Sequence, residues 1–182
     1  MGPTTYALCQ KPVIGVVMLI TSLCTFPPLF SNEPLPLSQA GTNISKAFTV
    51  PVDKDYRFEL GFEFPSVEAR LSDQIVGSRF DAICTRDVKY QDIPEAQRLG
   101  LGRPMSFHVV IRRATDRTVF IDRTFDSRCV TSFVENKKWR TIGWAELPRG
   151  NYIAEVTNLE SQRDLMNVNT HISLIAGTGK WP

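Results

Sequence analysis

Three observations predict a mainly β chain, folded as an immunoglobulin-like antiparallel β-sandwich with one or two short helices inserted. The first is strict alternation. In YRFELGFEF, Tyr56, Phe58, Leu60, Phe62 and Phe64 share one face, while Arg57, Glu59 and Glu63 share the other. A period of two is the mark of a strand with one face buried. The second is spacing: about seven such runs follow residue 41, and helical periodicity is confined to one stretch between them. The third is LPRGNYIAEV, Leu147 to Val156, where Pro148 and Gly150 stand just before Tyr152 and small apolar residues then alternate. That pattern is a strand entered through a tight corner. The ring of Tyr152 joins the core and its hydroxyl bonds back to the backbone upstream, with Gly150 supplying conformational freedom.

Composition supports one folded domain plus a targeting segment. Of 182 residues, 42% are hydrophobic and 22% charged, close to the globular average, which argues against wholesale disorder. Lys and Arg number 21 against 19 Asp and Glu, a net charge of +2. So even a balance offers no broad basic face for nucleic acid or anionic lipid, and a partner must be recognised by a local patch.

Residues 1–40 read as a signal peptide or a membrane or lipid anchor, and residues 41–182 as the sandwich domain. Lys11 precedes the apolar run Val13 to Phe26, which Pro27 and Pro28 end. The run has the length of a signal-peptide core and is short for a membrane span. Ser38 and Ala40 are small residues in the right relation for cleavage after Ala40. Cys24 lies where a bacterial lipoprotein carries its lipid, although Leu23 departs from the small residue usual before such a cysteine. Simple cleavage, lipidation at Cys24 and an uncleaved anchor all remain open. Export places the domain in the oxidising periplasm, where Cys84 and Cys129 are expected to pair. Closing a loop of about 45 residues stabilises a fold by about 4 kcal/mol in the chain-entropy model.

The elements follow in order. AFTVPV is a short first strand, with Pro51 placing it at a sheet edge. Tyr56 to Phe64 is the second. Val67, Leu71 and Ile75, four apart and followed by Gly77, predict one amphipathic helix in SVEARLSDQIVGS. A second short helix is expected at IPEAQRLG, with Asp92 as cap, Pro94 in the first turn and Gly100 at the exit. RFDAICTRDVKY, between the helices, reads equally as a strand or an irregular arm. SFHVVIRR then turns Phe107, Val109 and Ile111 inward, ATDR makes a hairpin loop, and TVFIDRTF aligns Val119, Ile121 and Phe125. TIGWAEL is a strand with Trp144 as its core anchor. The Tyr152 strand turns Ala154 and Val156 inward, and NVNTHISLI turns Val168, Thr170, Ile172 and Leu174 inward.

Chemistry-bearing motifs are scarce. His108 and His171 lie in predicted strands without metal-ligand spacing, so no metal or cofactor is expected. The sequence contains no GxSxG, HExxH, P-loop or dinucleotide fingerprint, and no enzymatic activity is expected. One surface cluster stands out: Arg112, Arg113, Arg117, Arg123 and Arg128, along the hairpin from Phe107 to Phe125 and just past it. Arginine forks bind carboxylates and stack on aromatic rings, which makes these the candidate partner-binding residues. The alternative is a solvated edge that discourages aggregation.

In the order YRFELGFEF, SDQIVGS, GRPMSFHVVIRR, ELPRGNYIAEVTNLE and NTHISLI, the chain resembles an uncharacterised family of bacterial envelope proteins, a domain of unknown function with an immunoglobulin-like sandwich. The resemblance spans roughly Tyr56 to Ile175. It implies an exported protein, often lipid-anchored, associated with type VI secretion lipase effectors. The function it implies is that of a periplasmic immunity protein, which neutralises a protein effector, a phospholipase, by occluding its active site; the helical insertion and the loop between Ser127 and Trp139 are the candidate contacts. A contrasting expectation is a structural or accessory envelope protein, a chaperone or secretion-apparatus component, that binds its partner through a sheet edge.

Overall fold

The computed structural model describes residues 27–80, 84 and 90–177. Nine strands run through them: β1 Phe30–Pro34, β2 Asn43–Val50, β3 Lys54–Glu63, β4 Met105–Arg113, β5 Val119–Ser127, β6 Val130–Val134, β7 Lys137–Leu147, β8 Gly150–Asn158 and β9 Asn169–Ala176. They pair as two antiparallel sheets, one ordered β1-β9-β3-β7-β6 and the other β2-β8-β4-β5.

The alternation seen in the sequence is what closes these sheets on each other. Tyr56, Phe58, Leu60 and Phe62 of β3, with Ile172 and Leu174 of β9, face Phe107, Val109 and Ile111 of β4 and Tyr152, Ala154 and Val156 of β8; all are buried. Within each sheet, β3-β7-β6 and β8-β4-β5 stand in the order of immunoglobulin strands B-E-D and F-C-C′. The outer strands are arranged differently. Here β2 takes the place beside β8, and β9 the place beside β3.

Tyr152 begins β8, at the immunoglobulin corner position, and its hydroxyl donates to Pro148 O at 2.9 Å. Its fully buried ring stacks on Phe48 and meets Phe120 edge-on. Gly150 does not have a left-handed backbone; a Cβ there would make a tight contact, 3.2 Å, with the Tyr152 ring. A second corner, not anticipated from sequence, opens β3, where the Tyr56 hydroxyl donates to Val52 O at 2.9 Å.

Several expectations are corrected. The folded domain starts before residue 41, because β1 pairs with β9, and Leu35 and Leu37 are buried in the core. Trp144 does not anchor the core. A bulge in the β3–β7 pairing turns Ile142 and Ala145 inward and leaves Trp144 46% exposed. A shift in the β4–β5 register likewise exposes Val119 and packs Phe120 against the core. The stretch from Ser127 to Trp139 is not a loop but contains β6 and the turn into β7. The arm RFDAICTRDVKY lies largely outside the described residues.

The segment between β3 and β4 carries two helices, both shorter than expected. Helix α1, Val67–Ser72, starts at Ser66, whose hydroxyl accepts the Ala69 N–H at 3.2 Å. It ends at Asp73, which is extended and accepts the N–H groups of Ile75 and Val76 with its carboxylate. The competing side-chain bonds stop the helix before Ile75. Helix α2, Glu95–Arg98, has Pro94 rather than Asp92 at its N-cap; Asp92 ends a 3₁₀ turn, Tyr90–Asp92.

Candidate functional site

A strand facing a core should present apolar side chains, yet β7 turns Lys138 and Arg140 inward, and both are buried. They lie where the inserted segment covers one end of the sandwich. The Lys138 ammonium donates to the Asp73 carboxylate at 2.7 Å and to Gly77 O at 2.6 Å. The Arg140 guanidinium donates to Arg103 O at 2.8 Å and to Leu101 O at 3.1 Å. Burial lowers the Arg140 pKa to about 10, against the pull of Asp73 and Tyr90, so the group stays charged at neutral pH. Two cations thus hold the insertion by its backbone carbonyls. Gly102, at φ +80°, sits so close that a Cβ would meet Val76 O and the Arg140 guanidinium.

The third anchor is the Cys84–Cys129 disulfide, which ties the insertion to the turn before β6. Around it Ile93, Leu101 and Cys129 form a small buried cluster separate from the main core.

The anchored segment displays two large apolar side chains among its polar ones. Leu71 is 68% exposed and Leu99 81%. Between them runs a groove of about 780 Å³ whose lining includes Ile75, Tyr90, Arg98 and Arg103. Beside it the β6–β7 hairpin exposes Phe133 and Val134, with Arg70 of α1 stacked 5.1 Å from the Phe133 ring centre. The helical spacing of Val67 and Leu71 therefore marks an outward face, not the buried one expected from the sequence; both residues are exposed.

The five arginines of the sequence cluster do not converge. Arg112 pairs with Glu155 at 2.7 Å on the outer face of the four-stranded sheet, Arg113 stacks on Phe120, and Arg117 occupies the hairpin turn at φ +62°. Only Arg123 and Arg128 come together, in a second groove of about 760 Å³ between β5 and β7. Arg57 of β3 joins them, paired with Glu59 at 2.8 Å and stacked on Trp144 at 5.7 Å. Sequence reasoning missed Arg57 because its strand pairs with β7 over a long chain separation.

Across the outer face of the five-stranded sheet, burial raises the Glu59 pKa, partly offset by Arg57. His171 lies over Gly61, where a Cβ would collide with the imidazole. Burial lowers its pKa, with Glu63 opposing and Lys137 reinforcing the shift. Among the described residues no group of three or more His, Cys, Asp or Glu is arranged to hold a metal ion, and no helix is long and apolar enough to cross a membrane. Cys24 and the apolar run before it lie outside the described residues.

No curated protein matches this chain in sequence. Among solved structures, the crystal structure of a Sulfurospirillum deleyianum protein is similar, with a TM-score of 0.60 and 20% identity, over 84% of this chain and 99% of that one. A likeness at that identity shows a shared fold. Residues 32–176, from within β1 to the end of β9, match a single sequence family, and the chain therefore belongs to DUF5625, a domain of unknown function.

Proposed function

We propose that the protein is an exported binding protein of the bacterial periplasm that neutralises a type VI secretion effector, a phospholipase, by covering its active site. The observation that carries this reading is the pairing of rigidity with apolar display. Leu71 and Leu99 are exposed on a segment fixed by Lys138, Arg140 and the disulfide. A surface already held in its bound shape loses little entropy on association, and large apolar side chains supply contact energy. With Phe133 and Val134 alongside, the end of the sandwich offers the centre of an interface of standard size, about 1,600 Å² in total. The resemblance described above adds the effector class.

The test is growth of cells that export the product of the neighbouring gene to the periplasm, with and without this protein. Protection is expected from the wild type and not from a Leu71→Glu/Leu99→Glu variant of unchanged melting temperature. A toxic neighbour against which the wild type gives no protection overturns the reading for that pair. The accessory-protein reading draws on a different observation: β6 and β5 end their sheets with no neighbour among the described residues, so an edge is open to a partner strand. It predicts an envelope or secretion defect on deletion of the gene alone.

A further inference from the structure

We propose that the groove between β5 and β7 binds an amphiphilic anion, its apolar body against Phe80, Phe125 and Trp144 and its carboxylate or phosphate held by Arg57, Arg123 and Arg128. This site does not include Leu71 or Leu99, although Phe80 and Cys84 of the insertion line it, and it does not depend on the immunity reading.

Trp144 is 46% exposed on its strand, beside Phe80 at 58%, so part of both rings stays open to solvent. Both line one groove, floored by Ile142, Gly143 and Phe125. Gly143 keeps the floor open to the aromatic ring, since a Cβ there would overlap Phe125 at 2.4 Å. The volume, about 760 Å³, falls within the roughly 300–1,000 Å³ usual for small-molecule sites.

Charge then selects the ligand. Three guanidinium groups line the groove against one carboxylate, Asp126, which lies 3.6 Å from Arg128. Glu59 pairs with Arg57 from outside it. Arg123 is in no ion pair among the described residues; it stacks on Phe125 at 5.2 Å, which fixes its plane at the groove wall. A guanidinium so placed offers two parallel N–H donors to a carboxylate or phosphate. A cationic ligand would meet three guanidinium groups and a single carboxylate that already faces Arg128. An acidic peptide shares the head-group chemistry and is told apart by the comparison peptide below.

The probes are dodecanoate and dodecyl phosphate, titrated below their micellar concentrations into the folded protein by calorimetry. Dodecyltrimethylammonium and a peptide of alternating Glu and Leu serve as comparisons. Both anions are expected to bind and the cation not. Arg123→Gln should weaken binding roughly tenfold or more, the loss of one charge-assisted hydrogen bond. Trp144→Ala should also weaken it, and Leu99→Ala should leave it unchanged. Tighter binding of dodecanoate identifies a free fatty acid as the source, and tighter binding of dodecyl phosphate a phospholipid head. The proposal is overturned if neither anion binds at millimolar concentration, if neither variant alters binding, or if the peptide binds more tightly than both amphiphiles.

Discussion

Replacing Lys138 by Met keeps the apolar stem and removes the charge. The Lys138 side chain is 3% exposed and that of its partner, Asp73, 6%. Without it, Asp73 keeps the N–H groups of Ile75 and Val76 but loses its counter-charge, and Gly77 O loses its 2.6 Å donor. Breaking a buried pair by deleting one partner costs about 3–5 kcal/mol, and the two retained N–H bonds put this case near the lower figure. For a domain of this size a loss of about 3 kcal/mol lowers Tm by roughly 6–12 °C. Thermal melting followed by circular dichroism measures it. Hydrogen exchange at Arg103, whose N–H is bonded to Ile75 O at 2.8 Å, tells local release of the insertion from global unfolding. Because the cost is an orphaned charge, Lys138→Met/Asp73→Asn should recover part of the loss. A single variant within about 0.5 kcal/mol of wild type, or a double variant no better than the single, would refute the reasoning.

Further outcomes are expected. Tyr152→Phe, which removes the 2.9 Å bond to Pro148 O, should cost about 1 kcal/mol or somewhat more in chemical denaturation. A chain beginning at Gly41 lacks β1 and the buried side chains of Phe30, Leu35 and Leu37, each worth about 1.5–3 kcal/mol, and should fail to give a cooperative melt. His171, with its folded pKa below the unfolded value, favours the neutral form in the fold. Stability should therefore be full above the ordinary histidine pKa and fall as pH drops below it. Melting temperatures between pH 5 and 7 should show a shallower slope in His171→Asn than in wild type.

The sandwich was legible because alternation is a local signal. Tyr56 to Phe62 and Phe107 to Ile111 needed only a period of two to be assigned to the core. The corner at Tyr152 was legible for the same reason, its partner being four residues upstream. Trp144 and Val119 were misplaced because one bulged residue reverses the face of everything beyond it, and bulges are set by strand pairing rather than by composition. Strand β1 was hidden because FSNEP carries little alternation and follows an apolar run that reads as an export signal. The candidate surfaces were least legible. Lys138 and Arg140 look like ordinary solvated charges until the insertion folds over them, and Arg57, Arg123 and Arg128 meet only through pairings that span much of the chain.

The register of the five-stranded sheet also sets where the chain enters relative to the insertion. Phe30 lies against Leu174, which pairs with Phe58, halfway along β3. From there β3 runs on through Phe62 to the insertion after Phe64. The six residues from Phe58 to Phe64 span about 20 Å of extended strand. The start of β1 therefore stands about that far along the sheet from the point where the insertion leaves it, and a load applied there reaches the insertion only through β9 and β3.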